Sequence, residues 1–143
     1  MGDMTTPTAT PGLGGYRESV TLEFSRLAAS LRICLGAQLV AYLGGVGETR
    51  AVRQWATGRR RPSQVVEQRL RLAYQVAGVI TEATSSPSAL QAWFQGANPA
   101  LGDRSPARML RDYPVDEVSV VVLAAARAFV ATARCSSMPS QGA

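Results

Sequence analysis

The residues of this chain that could do chemistry are its arginines. All 15 basic residues of the 143-residue chain are Arg, and the formal net charge is +5. Within residues 50–71 the net charge is +6, because the only acid among seven arginines is Glu67. Such a patch is typical of polyanion binding, since contacts to phosphates release counterions, but a solvated helix face also carries such charge. The seven are Arg50, Arg53, Arg59, Arg60, Arg61, Arg69 and Arg71.

The same inventory argues against catalysis and against bound metals. The chain has no His, which removes the commonest general base and the commonest metal ligand. Its two cysteines, Cys34 and Cys135, are far apart and lack neighbouring ligand residues, so neither a zinc site nor a disulfide is predicted. The scattered Asp and Glu residues form no paired motif. We therefore expect a protein that is not an enzyme and needs no cofactor.

The arginine-rich stretch coincides with a pair of short predicted helices. Residues 37–43 form one apolar-faced helix, Gly44–Gly47 is a turn, and residues 48–57 form a second helix that ends at Gly58. Two short helices joined by a tight turn are the pattern of the helix-turn-helix, whose second helix enters the DNA major groove. We expect the pair to bury four side chains. They are Leu39, Leu43, Val52 and Trp55.

The outward positions of the second helix have side chains that can recognise bases. Arg can bind guanine with two hydrogen bonds, Gln can do the same with adenine, and Thr can approach a thymine methyl group. The predicted base-reading residues are Glu48, Thr49, Arg50, Arg53 and Gln54. Three arginines follow at once, where contacts to phosphates would fix the register of the helix on DNA. They are Arg59, Arg60 and Arg61.

Helical periodicity predicts the elements that hold this pair. Apolar residues step by 4, 3, 4 and 3 along residues 19–35 and again along residues 63–84, which predicts one helix in each segment. A short helix over 89–95, a loop over Gly96–Arg104, a helix opened by Ser105 and Pro106, and a helix over 115–133 follow. Val118–Val122 also fits a strand, but its spacing over a long segment favours a helix. The predicted fold class is all-α, a helix-turn-helix bundle followed by a small helical carboxy-terminal domain.

Composition divides the chain into four segments. We expect a disordered tail over 1–15, a DNA-binding domain over 16–84, a helical carboxy-terminal domain over 85–134, and a flexible tail over 135–143. No signal peptide is visible over 1–15. The longest apolar stretch, residues 118–133, is shorter than the roughly 20 residues that a membrane helix needs. A cytoplasmic protein without a membrane segment is predicted.

Two segments resemble a known family. Ala51–Pro62 resembles the recognition helix and exit loop of the Xre-type helix-turn-helix, which commonly ends in Trp-x-x-Gly-x-x-x-Pro. Ala92–Leu110 is similar to the Trp-Leu-x-x-Pro-Asn-x-x-Leu-Gly-Gly-x-x-Pro motif of the MbcA/ParS/Xre antitoxins. This chain has Ala97-Asn98-Pro99 where the motif has Pro-Asn, and Asp103 where the motif has its second Gly.

The resemblance implies a function for each half of the chain. In that family the amino-terminal half binds operator DNA and represses its own operon, and the carboxy-terminal half neutralises a cognate toxin, often a RES-domain enzyme that degrades NAD. The residues that would bind the partner lie in and around the second motif. They are Trp93, Asn98, Pro99, Leu101 and Arg104. Aromatic residues at this spacing are usually core, so Trp93 is also expected to be buried beneath the 98–102 loop.

Two alternatives stay open on the sequence alone. One is a stand-alone phage- or plasmid-type regulator without a toxin, and the other is a protein-interaction module that keeps the helix-turn-helix fold without reading DNA. A homodimer is expected in the DNA-binding case, because two recognition helices match two half-sites one turn apart. The apolar face of Val118–Val130 is either the dimer interface or part of the core.

Overall fold

The computed structural model describes residues 23–137, which form seven α-helices, one 3₁₀ turn and no strand. The all-α prediction is thereby confirmed, whereas the predicted tail over 1–15 and the predicted first-helix residues 19–22 lie outside the described residues. The helices are α1 (Phe24–Leu35), α2 (Ala37–Gly44), α3 (Thr49–Ala56), α4 (Gln64–Ile80), α5 (Pro87–Gln95), α6 (Pro106–Asp112) and α7 (Val115–Ser137), with the 3₁₀ turn at Pro99–Leu101.

Serine side chains fix the starts of three of these helices. Ser63, Ser86 and Ser105 each accept a hydrogen bond from a backbone N–H in the first turn of α4, α5 and α6, which satisfies one otherwise unpaired donor. The predicted start of α6 at Ser105 and Pro106 is confirmed. The fourth helix ends at Ile80 instead of residue 84, because Thr81 to Ala83 close into a turn.

The last helix is longer than its sequence pattern indicated. Val118–Val122 is helical, as predicted, but α7 continues through Ser137, so residues 135–137 belong to the helix and not to the predicted tail. By length and composition alone α7 meets the criteria for a membrane-crossing helix, which the shorter 118–133 stretch did not. Core helices of soluble proteins meet the same criteria when they are mostly buried, and 28% of the qualifying window of α7 is buried in this fold.

One hydrophobic core joins the segments before and after residue 84. α1 packs against α2, α3 and α5, α6 packs against α2, and α4 packs along α7. Phe94 of α5 and Val122 of α7 are fully buried in the same cluster as Trp55 of α3. The predicted boundary between residues 84 and 85 therefore divides the sequence without dividing the core.

The two faces of the Val118–Val130 segment differ in burial, so the segment is core on one side and exposed on the other. Its inner residues are core: Val118, Val122, Ala125, Ala126 and Val130 are all buried. The outer face of the same helix carries Val120, of which 73% is exposed.

Candidate nucleic-acid interface

The connection between α2 and α3 is fixed by backbone hydrogen bonds and one arginine. Gly45 has a left-handed backbone (φ 72°), and the N–H groups of Gly45 and Val46 donate to carbonyls in the last turn of α2 at 3.1 and 3.0 Å. This is a glycine-dependent way of ending a helix. Arg69 of α4 donates from Nη1 to the Leu43 carbonyl at 2.9 Å, where the negative end of the α2 dipole favours a cation.

The inner face of α3 sets the rotation of that helix. Ala51, Val52 and Trp55 are buried, and the Trp55 ring meets Phe24 of α1 edge to face with centroids 6.4 Å apart. Gly44 of α2 lies directly against the same ring, where a Cβ atom would stand 2.6 Å from Trp55 Cη2. Because the ring is enclosed on both sides, the opposite face of α3 is held towards solvent.

That opposite face carries most of the predicted base-reading residues. Thr49, Arg50 and Arg53 are exposed, and no hydrogen bond or ion pair within residues 23–137 engages either guanidinium group. Gln54 is half-buried. Glu48 is exposed but precedes the helix as its N-cap residue and makes no side-chain cap hydrogen bond.

The exit from α3 places two arginines beside its last turn. Gly58 has the left-handed backbone (φ 78°) that the sequence predicted, and the N–H groups of Arg59 and Arg60 both donate to the Gln54 carbonyl at 2.9 and 3.2 Å. Both side chains are exposed. In the described part of the chain neither one is paired with an acid, so both are available to an external anion.

Arg61 differs from the two arginines before it. Its guanidinium group binds Glu67 at 3.1 Å, and Glu67 also binds Arg71 at 2.9 Å. Burial raises the pKa of Glu67, but the two guanidinium groups outweigh this effect and hold the pKa below its ordinary value. A phosphate would therefore have to compete with Glu67 for Arg61.

Arg69 is not available to an external anion either, but for a different reason. Its side chain is half-buried against α2, where burial and, second, repulsion by Arg111 lower its pKa. Of the seven arginines that made up the local charge, Arg61, Arg69 and Arg71 thus have partners inside the protein. Those free of such a partner among the described residues are Arg50, Arg53, Arg59 and Arg60.

The loop between α5 and α6 is rigidly built. Asn98 Oδ1 accepts from the N–H of Ala100 at 2.9 Å, and the N–H of Asn98 donates to the Arg104 carbonyl at 3.1 Å. Gly102 and Asp103 both have positive φ, 67° and 66°, a backbone that glycine adopts without strain. The second Gly of the antitoxin motif would fall on the second of these positions, where this chain has Asp103.

The predicted partner-binding residues are divided by burial. Pro99 and Arg104 are exposed, and Arg104 Nη1 donates to the Tyr113 hydroxyl at 2.8 Å. Leu101, however, is buried in the core and so presents no surface to a partner. The expected burial of Trp93 holds only in part: its ring is half-buried against Phe94 and Phe129, at centroid distances of 5.3 and 6.5 Å.

Sequence reasoning missed one residue beside this interface. Arg111 of α6 lies over the ring of Tyr42 on α2, 4.4 Å from its centroid, and lines the same groove as Thr49 and Arg50. No spacing rule connects residues so far apart in the chain. The sequence shows only that α6 carries two arginines, Arg108 and Arg111.

The comparisons with known proteins add no relative. No protein-family model, curated protein or solved structure matches the chain. Among residues 23–137 no group of three metal-ligating side chains is close enough to hold an ion.

Proposed function

We propose that the protein is a sequence-specific DNA-binding regulator in which α2, the turn and α3 act as a helix-turn-helix. One observation carries the proposal. Arg50 and Arg53 project from the exposed face of α3 with no partner in the described chain, while the opposite face is fixed in the core by Trp55. Two exposed guanidinium groups without partners among the described residues, on a helix held in place by its buried face, are suited to hydrogen bonding with guanine edges in the major groove.

The neighbouring residues complete this binding mode. In this mode Thr49 would contact a thymine methyl group, and Glu48 would accept a hydrogen bond from the amino group of cytosine. Arg59 and Arg60 would bind phosphates at the carboxyl end of α3 and position the helix without reading sequence. As a homodimer, two copies of α3 would address half-sites about 34 Å apart.

The test separates base reading from phosphate binding. A duplex selected by the wild-type protein from a randomised pool is compared with a random duplex by fluorescence anisotropy. We expect Arg50→Ala with Arg53→Ala to remove most of the preference for the selected duplex, since each two-hydrogen-bond contact contributes about 1–3 kcal/mol of discrimination. Arg59→Ala with Arg60→Ala should weaken binding to both duplexes alike. An unchanged preference in the Arg50 and Arg53 variant would refute the assignment of α3.

The antitoxin role is the second part of the proposal, and it rests on the family resemblance. It is supported by the rigid loop before α6, which exposes Pro99 and Arg104 on the surface of the second half. Exposed loops on rigid scaffolds are common binding elements. Co-expression with the product of the adjacent gene tests it: Arg104→Ala should weaken co-purification, whereas Arg108→Ala, on the exposed face of α6, should not. If neither variant weakens co-purification, the loop is not part of the interface.

A further inference from the structure

A groove of about 800 Å³ lies between the outer face of α2 and the beginning of α3. Tyr42 lines it from α2, Thr49 and Arg50 line it from α3, and Arg111 lines it from α6. Its walls therefore come from both halves of the chain. The only acidic residue among its lining is Glu48, so two guanidinium groups face one carboxylate there.

Arg111 is held in place without being neutralised. Its guanidinium carbon lies 4.4 Å from the centroid of the Tyr42 ring, a cation–π contact that orients the group while its N–H donors stay available. Asp112, the neighbouring acid in the sequence, is bound by Arg108 instead, at 3.4 Å. No ion pair within residues 23–137 engages Arg111, and the side chain is exposed.

The dimensions of α3 suggest which anion Arg111 meets. At about 1.5 Å per residue, its eight residues span about 12 Å, which is about the width of the major groove. Arg59 and Arg60 follow one end of the helix, and the groove with Arg111 adjoins the other end. Where a helix of this length crosses the major groove, one sugar-phosphate strand lies near each of its ends.

We propose that Arg111 binds a backbone phosphate of duplex DNA at the amino-terminal end of α3, across the major groove from the phosphates bound by Arg59 and Arg60. The inference rests on the proposed function and extends it to the second half of the chain. α6 is then part of the DNA-binding surface. Its arginine contributes affinity and not sequence preference, because a phosphate contact carries no base information.

The test uses the full chain, the selected duplex and the random duplex, titrated at several salt concentrations. Arg111→Gln keeps a polar side chain but removes the guanidinium group that lies over Tyr42 and its charge, and Arg111→Lys keeps a charge. We expect Arg111→Gln to bind both duplexes about three- to tenfold more weakly near 0.1 M salt. It should also flatten the dependence of log K on log salt by about one. Arg111→Lys should keep the wild-type slope.

The matched control is Arg127→Gln, which removes an exposed arginine of α7 that does not line the groove and should leave affinity and slope unchanged. If the wild type prefers its selected duplex but Arg111→Gln keeps the wild-type slope, the inference is wrong and the proposed function stands. If both Gln variants flatten the slope equally, the loss reflects net charge alone and the inference is also wrong. If the wild type binds no duplex in preference to random DNA, both proposals fail together.

Discussion

At the scale of single residues, Glu67 determines which of the arginines after α3 are paired with an acid. It binds both Arg61 and Arg71, so one carboxylate compensates charge that would otherwise extend the patch formed by Arg59 and Arg60. The contact also ties the loop before α4 to the first turns of that helix. Glu67 therefore links the stability of this corner to the amount of positive charge beside α3.

Replacing this carboxylate should change both properties. Glu67→Gln is expected to lower the free energy of unfolding at pH 7 by about 1–2 kcal/mol, since hydrogen bonds to a charged group are lost. The pKa of Glu67 is lower in the folded chain, so its stabilisation is complete above the unfolded pKa of about 4.3. It is lost as the pH falls through the folded value. Urea unfolding between pH 7 and pH 3 measures this.

The control for that measurement is Glu82→Gln. Glu82 forms an exposed pair with Arg134 at 3.5 Å, and such pairs contribute at most about 1 kcal/mol. Its removal should leave the acid sensitivity of the protein close to that of the wild type. Equal loss of stability on acidification in the wild type and in Glu67→Gln would show that Glu67 is not the group responsible.

At the scale of elements, the close approach of α2 and α3 depends on a glycine. A Cβ atom at Gly44 would meet Trp55 Cη2 at 2.6 Å and Cζ3 at 2.9 Å. We expect Gly44→Ala to destabilise the protein by about 1–3 kcal/mol, because overpacking forces a buried ring to move. The better helix propensity of Ala offsets only part of this. Chemical denaturation followed by tryptophan fluorescence gives the size of the loss.

Gly47, in the turn before α3, is the matched position. It is exposed, and a Cβ atom there would have nothing within 4 Å. Gly47→Ala should change stability by no more than about 0.5 kcal/mol. A Gly44→Ala protein as stable as the Gly47→Ala protein would mean that the α2–α3 packing is looser than the geometry indicates.

Periodicity and capping residues predicted most of the elements, because these signals are local. The 4, 3, 4, 3 spacing identified α4, and Ser105 with Pro106 marked the start of α6. The carboxyl ends were less predictable, as α7 shows, because polar residues after an apolar run do not by themselves end a helix. Boundaries of this kind depend on the neighbouring structure.

The candidate interface was predictable only where the chain is continuous. Four arginines that the sequence of one continuous segment predicted to face outward are exposed in the structure: Arg50, Arg53, Arg59 and Arg60. The pairing of Arg61 with Glu67 spans six residues and a turn, and the approach of Arg111 to Tyr42 needs the whole fold. Contacts between distant elements leave no periodic trace in the sequence.

At the scale of the whole molecule, the core is continuous from α1 to α7. α4 packs along α7, and α5 packs on α1, where Gln91 donates to the Cys34 carbonyl at 3.3 Å. Separating the chain at residue 84 would expose the buried faces of both halves to water. We therefore expect the stability of α3 to depend on the second half of the chain.

This continuity predicts a single cooperative unfolding transition. The chain has two tryptophans, Trp55 in α3 and Trp93 in α5, so Trp93→Phe leaves a fluorescence probe in the first half alone, while circular dichroism at 222 nm reports helices throughout. In urea the two signals of this variant should give the same midpoint, because coincident transitions are expected of one cooperative unit. The reciprocal variant Trp55→Phe, which alters the buried ring, should also give coincident signals, at a lower midpoint. If Trp55 fluorescence changes at lower urea than the helical signal, α3 opens independently and the two halves are separate folding units.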